Sequence, residues 1–318
     1  MKLNLTLAFY GFSEKDIIYT INGGNSIVYK CKNTAGEHVG IKEYLGDDDR
    51  RMRSMEREVA SLNFLYENGI TFAAQLVSFN KKKPSICYKW IEGKTPRLSN
   101  LVKNQVIEAL ICLKSLYEHN PNFPLAIDAV ASALELNKQV EQRIFIAKAY
   151  LKKYPEILIS INKARELVGG NLLLLSKFPI NTFSFSDIGV HNMITNSKSE
   201  AYFLDFEFFG ADSKVKMVAD LFSHPKTIFS REEIVSLSLK LSLSDYEIEQ
   251  LVGILPLIAI KWALITSRRL SSEVLGNQIS TKQILEQINH YLGYSQFLQK
   301  KVEADQIMTF QEYKKMTQ

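Results

Sequence analysis

Short runs rich in isoleucine, valine, tyrosine and threonine, broken by turns, fill the first 93 residues and then stop. Residues 16–21 and 27–32 flank Asn22-Gly23-Gly24-Asn25-Ser26; residues 38–45 follow a turn at 33–37; residues 74–79 and 85–91 flank Asn80-Lys81-Lys82-Lys83-Pro84. Each run reads as a strand and each gap as a turn. Between the third and fourth runs, Met52, Met55, Val59, Leu62 and Leu65 recur at spacings of three and four, which is one face of a helix. Asp47, Asp48 and Asp49 offer its cap and Gly69 its stop. The order β-β-β-α-β-β predicts an antiparallel sheet of five strands with one main helix.

After Gly93 the pattern turns helical. Ser99 or Asn100 can cap a helix with apolar positions Val106, Leu110, Leu113 and Tyr117, and residues 126–168 and those after Arg231 keep a helical period. A small hairpin is expected from residues 193–195 and 201–206. The chain therefore predicts an α+β architecture in two lobes, residues 1–93 and 94–318. The longest apolar stretch, residues 251–266, contains Pro256 and Lys261 and falls short of the ~20 residues a membrane span needs, so it reads as a buried helix. With 39 basic and 34 acidic residues the net charge is +5, which suits an anionic ligand. The basic runs Lys81-Lys82-Lys83 and Arg50-Arg51-Met52-Arg53 lack interleaved aromatics, so no nucleic-acid partner is expected, and no membrane. Cys31, Cys87 and Cys112 form no C-x-x-C pair and no signal-peptide cleavage site is evident, which points to a reducing cytoplasm.

Several residues carry phosphate chemistry. Gly23 and Gly24, with Asn25 and Ser26, form a turn whose backbone N–H groups can approach phosphate oxygens closely. Lys42 stands mid-strand, where a lysine usually lines a solvated face. Glu58 lies one residue before the apolar position Val59, a phase that reads as an exposed helix charge. In order, though, glycine turn, strand lysine and helix glutamate are the parts with which kinase-like folds hold ATP. Downstream, Ser186-Asp187-Ile188-Gly189-Val190-His191-Asn192 contains D-x-x-x-x-N, and Asp205-Phe206-Glu207 ends a strand. Phosphoryl transfer needs a carboxylate to take the attacking hydroxyl's proton and oxygen ligands to hold Mg²⁺ against the phosphates. Asp187 suits the first role, Asn192 and Asp205 the second.

With these residues in this order the chain resembles the aminoglycoside phosphotransferase and choline kinase group, small-molecule kinases of bilobed protein-kinase-like fold. The resemblance runs from about residue 17 to 225, and Ser186–Asn192 with Leu204–Gly210 is similar to an uncharacterised bacterial branch. It implies ATP, or GTP, with Mg²⁺, and a sugar, aminoglycoside or amino-alcohol hydroxyl as acceptor. It places the catalytic aspartate at Asp187, the metal ligands at Asn192 and Asp205, the phosphate-holding lysine at Lys42 and its partner at Glu58. Tyr88-Lys89-Trp90-Ile91-Glu92-Gly93 resembles the segment linking the lobes, so Lys89, Trp90 and Ile91 are expected to meet the adenine. Leu113-Lys114-Ser115-Leu116-Tyr117 resembles the helix under the catalytic loop, and Asp220 the aspartate that braces that loop. Residues 1–93 would then be the nucleotide lobe and 94–318 the catalytic and acceptor lobe.

One departure stands out. Phe185 and Ser186 occupy positions where the group has histidine followed by glycine or asparagine. A second reading follows from it, a nucleotide-binding pseudokinase serving as a partner protein. A protein kinase fits less well, since Asp-Phe-Glu stands for Asp-Phe-Gly and no Ala-Pro-Glu follows. Glu207 and Asp212, with Asp187, would form an acidic rim for a cationic acceptor or else be ordinary loop charge. Phe206, Phe208, Phe209 and Trp262 are candidates for an aromatic cage around such a cation. The histidines His38, His119, His224 and His290 are scattered and suggest no zinc site.

Overall fold

The computed structural model describes residues 5–23, 25–97, 99–172, 177–226, 229–271, 280–300 and 307–317. By their contacts the chain forms two compact units, Met1–Ala109 with Val190–Gly210, and Leu110–Gly189 with Ala211–Gln318.

In the first unit β1 (Ile17–Asn22), β2 (Ser26–Lys32), β3 (His38–Tyr44), β4 (Leu76–Asn80) and β5 (Ser85–Lys89) form one antiparallel sheet in the order β1-β2-β3-β5-β4. All five predicted strands are present, their ends shifted by a residue or two. Ile41 of the central strand is fully buried in a cluster with Cys31, Cys87 and Leu7, the last from the short helix α1 (Leu5–Phe9). Side chains alternate across a strand, so Gly40, Lys42 and Tyr44 share the other face. Gly40 has to be bare: a Cβ there would sit 2.5 Å from the Tyr88 ring.

Helix α2 (Asp48–Glu67) crosses between β3 and β4. Asp47 caps it by accepting the Arg50 N–H at 2.8 Å. At its other end Gly69, at φ +74°, donates to Tyr66 while Ile70 donates to Leu65, the left-handed stop that favours glycine. The buried face of α2 is Met55, Glu58, Ser61, Leu62 and Leu65. The sequence phase is thus corrected at one position: Glu58 turns inward and Val59 is only half-buried.

The expected hairpin, Met193–Thr195 with Ala201–Phe203, also belongs to this unit. Backbone bridges tie it to Ala73 and Lys94. Gly93 permits the second bridge, because a Cβ there would lie 2.5 Å from the Thr195 carbonyl.

Helix α3 (Asn100–His119) leads by chain into the second unit. That unit is built from α4 (Ala133–Tyr150), α5 (Pro155–Leu172), α6 (Lys214–Ser223), α7 (Arg231–Lys240), α8 (Asp245–Ser267), α9 (Thr281–Lys300) and α10 (Phe310–Thr317). Ser132, Ser213, Ser230, Ser244 and Ser280 cap α4, α6, α7, α8 and α9, and Ser230 with Glu233 and Ser244 with Glu247 form reciprocal capping boxes. Helix α8 contains the apolar stretch around Pro256 and packs against α4, α5, α6 and α9. Among the described residues it is the one helix long and apolar enough to cross a membrane, and most of it is buried inside the unit, as expected of a core helix.

Every residue of α6 is buried, including its charged ones. Lys216 explains how: its ammonium lies 2.9 Å from Asp212 and 2.8 Å from Asp220. A second, half-buried charged group is formed where Asp128 takes the buried Lys261 at 3.2 Å and Arg143 at 3.0 Å.

Candidate active site

In the first unit, the Lys42 ammonium bridges two carboxylates, Glu58 Oε2 at 2.5 Å and Asp205 Oδ1 at 2.7 Å. Neither the solvated lysine nor the exposed glutamate that the sequence suggested is found. Lys42 is 6% and Glu58 4% exposed, because each neutralises the other's charge. Burial alone would lower the Lys42 pKa, but Glu58, Asp205 and Glu207 raise it, so the lysine is held charged. The Tyr44 hydroxyl donates to the same Glu58 oxygen at 2.6 Å, and its ring lies 5.0 Å from the ammonium. Burial, then the Glu58 charge, pushes that hydroxyl's pKa well up. Tyr44 was not foreseen, though its position two residues after Lys42 on one strand face was the signal.

Asp205 has left-handed backbone, φ 67° and ψ 66°, a conformation that aspartate tolerates better than most residues. It leads into the turn Phe206–Phe208, and its side chain stays 38% exposed. Asn192 precedes the hairpin, and its carbonyl accepts the Leu204 N–H at 2.8 Å. That bond closes the open end of the hairpin and brings Asn192 and the neighbourhood of Asp205 together. An amide oxygen and a carboxylate are hard donors of the kind Mg²⁺ takes when it brings water and phosphate ligands with it. Among the described residues no three His, Cys, Asp or Glu side chains group to hold a metal unaided. The donor set therefore fits a cation arriving with a polyphosphate.

The glycine turn lies beside these groups, although Gly24 is outside the described residues. Gly23 donates its N–H to the Ser26 carbonyl at 2.8 Å. Asn25 is held three ways: its carbonyl accepts from Leu45 N–H at 2.7 Å, its Oδ1 accepts from Arg50 at 2.7 Å, and its Nδ2 donates to Glu207 at 3.3 Å. Glu207 is buried, and burial followed by the Asp205 charge raises its pKa. In the segment 89–91, Lys89 donates its N–H to Gln75 at 2.9 Å and Trp90 to His38 at 3.2 Å. The Trp90 ring meets Tyr19 edge-on with the Lys30 ammonium 5.2 Å away, and Lys30 pairs with Glu92. Ile91 is half-buried.

In the second unit, Asp187 is 41% exposed on its side chain and bonds His224 Nε2 through Oδ1 at 2.8 Å. Phe185 is buried, and Ser186, at φ 62°, donates its N–H to Ser184 Oγ at 3.0 Å. Asp220 bonds Lys216 and lines a small cavity with Ser184, Ser186 and His224. By sequence His224 is one of several scattered histidines. Its signal was a spacing: Asp212, Lys216, Asp220 and His224 recur every four residues, one stripe along a helix.

Two expectations about the acceptor are corrected. Glu207 and Asp212 are buried and so form no exposed rim. Phe206 and Phe209 are core rings 5.9 Å apart, with Phe64 at 6.5 Å from Phe209, and are no cage for a cation. Trp262 packs between His224 and Tyr291.

No family model and no curated protein matches the chain. Solved structures match its fold. Spectinomycin phosphotransferase APH(9)-Ia, solved with ADP and spectinomycin, has a TM-score of 0.57 and 13% identity over 96% of this chain and 99% of that one. APH(2'')-IIa, solved with gentamicin, has a TM-score of 0.59 and 17% identity over 90% and 97%. A choline kinase from Streptococcus pneumoniae has a TM-score of 0.57 and 15% identity over 87% and 94%. At these identities the likeness is one of fold, the protein-kinase-like fold of aminoglycoside phosphotransferases and choline and ethanolamine kinases.

Proposed function

We propose that this chain, built on the fold of those phosphotransferases, transfers the γ-phosphate of ATP, or GTP, to a hydroxyl of a small molecule. The observation that carries the reading is the Lys42 ammonium held between Glu58 and Asp205. Glu58 already balances the buried lysine, while its second anion, Asp205, is 38% exposed, so a nucleotide phosphate can reach the ammonium from that side. In this reading Lys42 holds the phosphates, with Glu58 and Tyr44 fixing its direction. Asn192 and Asp205 would hold Mg²⁺, which when bound offsets charge on the phosphate oxygens. Gly23, Gly24, Asn25 and Ser26 cover the phosphates. Since Lys89 and Trp90 spend their N–H groups within the sheet, we assign the adenine's backbone contact to Ile91.

Asp187 serves as the base. It takes the acceptor hydroxyl's proton while the oxygen forms a bond to the γ-phosphorus and the bond to the departing ADP oxygen breaks. We take residues 1–93 as the nucleotide lobe and 94–318 as the catalytic and acceptor lobe. The acceptor is a sugar, aminoglycoside or amino-alcohol; neither nucleic acid nor membrane enters the reaction. The three cysteines are free, and we place the protein in the cytoplasm. A panel of hydroxylated metabolites, read by ADP or GDP release in the presence of Mg²⁺, tests the proposal. Nucleotide binding without turnover of any alcohol or of water would favour the pseudokinase reading instead.

A further inference from the structure

His224 ends α6, is 4% exposed, and is the last member of that helix's buried polar stripe. Its two ring nitrogens have different partners. Nδ1 faces the backbone N–H of Lys226 at 3.1 Å, which can only donate, so Nδ1 is an acceptor and carries no proton. Nε2 then carries it, and donates to Asp187 Oδ1 at 2.8 Å.

The ring itself has little freedom. The indole of Trp262 meets it edge-on at 5.0 Å, and Trp262 stacks on Tyr291, which stacks on Phe310 at 3.9 Å. The Tyr291 hydroxyl donates to the Ser223 carbonyl at 3.2 Å, fixing the residue just before His224. Asp187, by contrast, is the most solvent-open member of the group, on a loop that includes the left-handed Ser186. A closely packed donor thus grips one oxygen of a partly solvent-open carboxylate.

We infer that His224 is the positioning residue of Asp187: its Nε2–H fixes Oδ1 and so aims Oδ2 at the acceptor hydroxyl. His224 does not exchange protons with the substrate. The inference rests on the phosphotransfer reading above, with Asp187 as base.

Two measurements test it. In protein labelled with ¹⁵N-histidine, His224 shows the neutral, Nε2-protonated tautomer, and its Nε2 resonance moves in Asp187→Asn. A charged ring, the other tautomer, or a resonance indifferent to Asp187→Asn overturns the inference without any assay of activity. The second measurement is MgATP hydrolysis, with water as acceptor. His224→Leu lowers kcat about 10–100-fold, the worth of a hydrogen bond to a charged group, and leaves KM for MgATP unchanged. His224→Gln, whose amide can donate from nearly the Nε2 position, restores most of the loss. If Leu and Gln are equally active, or equally inactive while both melt as wild type does, the hydrogen bond is not what matters and the inference fails. A wild-type protein that binds MgATP and never turns over defeats the phosphotransfer reading itself, and the positioning role with it.

Discussion

Asn25, at the turn between β1 and β2, donates its side-chain amide to Glu207, which is 182 residues away in sequence and two past Asp205. The same asparagine accepts from Arg50 of α2. One side chain therefore ties the glycine turn both to the helix that carries Glu58 and to the segment that carries Asp205. Asn25→Ala should release the turn: amide hydrogen exchange of residues 22–26 rises in the nucleotide-free protein while global stability falls by only about 1 kcal/mol. Unchanged exchange in the turn would show that the tie is inconsequential.

Lys42 separates stability from catalysis. Lys42→Met strands the buried Glu58 carboxylate with only Tyr44 among the partners described, and should cost about 3–5 kcal/mol. Adding Glu58→Leu removes that uncompensated charge and should recover most of the stability in urea unfolding. Activity should stay at least ~10²-fold down in both variants, because no cation remains for the phosphates. Recovery of turnover in the double variant would mean that Lys42 is there for the fold alone.

Asp205 and Asp187 should fail in different ways. Asp205→Ala removes the anionic oxygen donor, so titration calorimetry should show Mg²⁺-dependent nucleotide binding lost. Asp187→Asn keeps shape but cannot take a proton, so MgATP affinity should survive while turnover falls ~10²–10⁴-fold. Loss of binding in Asp187→Asn would reassign that residue from base to ligand or brace.

Asp128 should govern acid stability. Burial alone would raise its pKa, but Lys261, Arg143 and Lys216 hold it well below the ordinary 3.8. Below 3.8 the unfolded chain therefore takes up a proton at this site that the folded chain refuses. Its contribution is full above that pH and is lost as pH falls further, so stability should drop with acid there. Asp128→Asn should abolish that part of the slope and cost about 3 kcal/mol at neutral pH, since it leaves Lys261 buried without its anion. Urea midpoints measured from pH 2 to 7 on both proteins decide it.

The sheet, α2 with both its ends, the late hairpin and the core character of α8 were all legible from periodicity and turn chemistry, because those depend on neighbours in sequence. Glu58 was misphased for the opposite reason. Its burial depends on Lys42, which comes from another element, and no helical period records a partner across space. Tyr44 and His224 were overlooked on the same ground, each having meaning only beside Glu58 or Asp187. Glu207 and Asp212 look like surface charge in a sequence of loops, and only the fold shows that both are buried, Glu207 beneath Asn25 and Asp212 beside the enclosed Lys216.

Lys216 has a consequence for how this chain can change. Its ammonium is wholly enclosed and shared by Asp212 and Asp220, so loss of Lys216 leaves two buried carboxylates without their cation, whereas loss of one aspartate leaves a balanced pair. Drift away from the lysine is then barred in a single step, whereas joint replacement of all three by apolar residues is open. In a deep mutational scan Lys216 should be the least tolerant of the three sites and strongly rescued when both aspartates change with it, a signature of inheritance as a block.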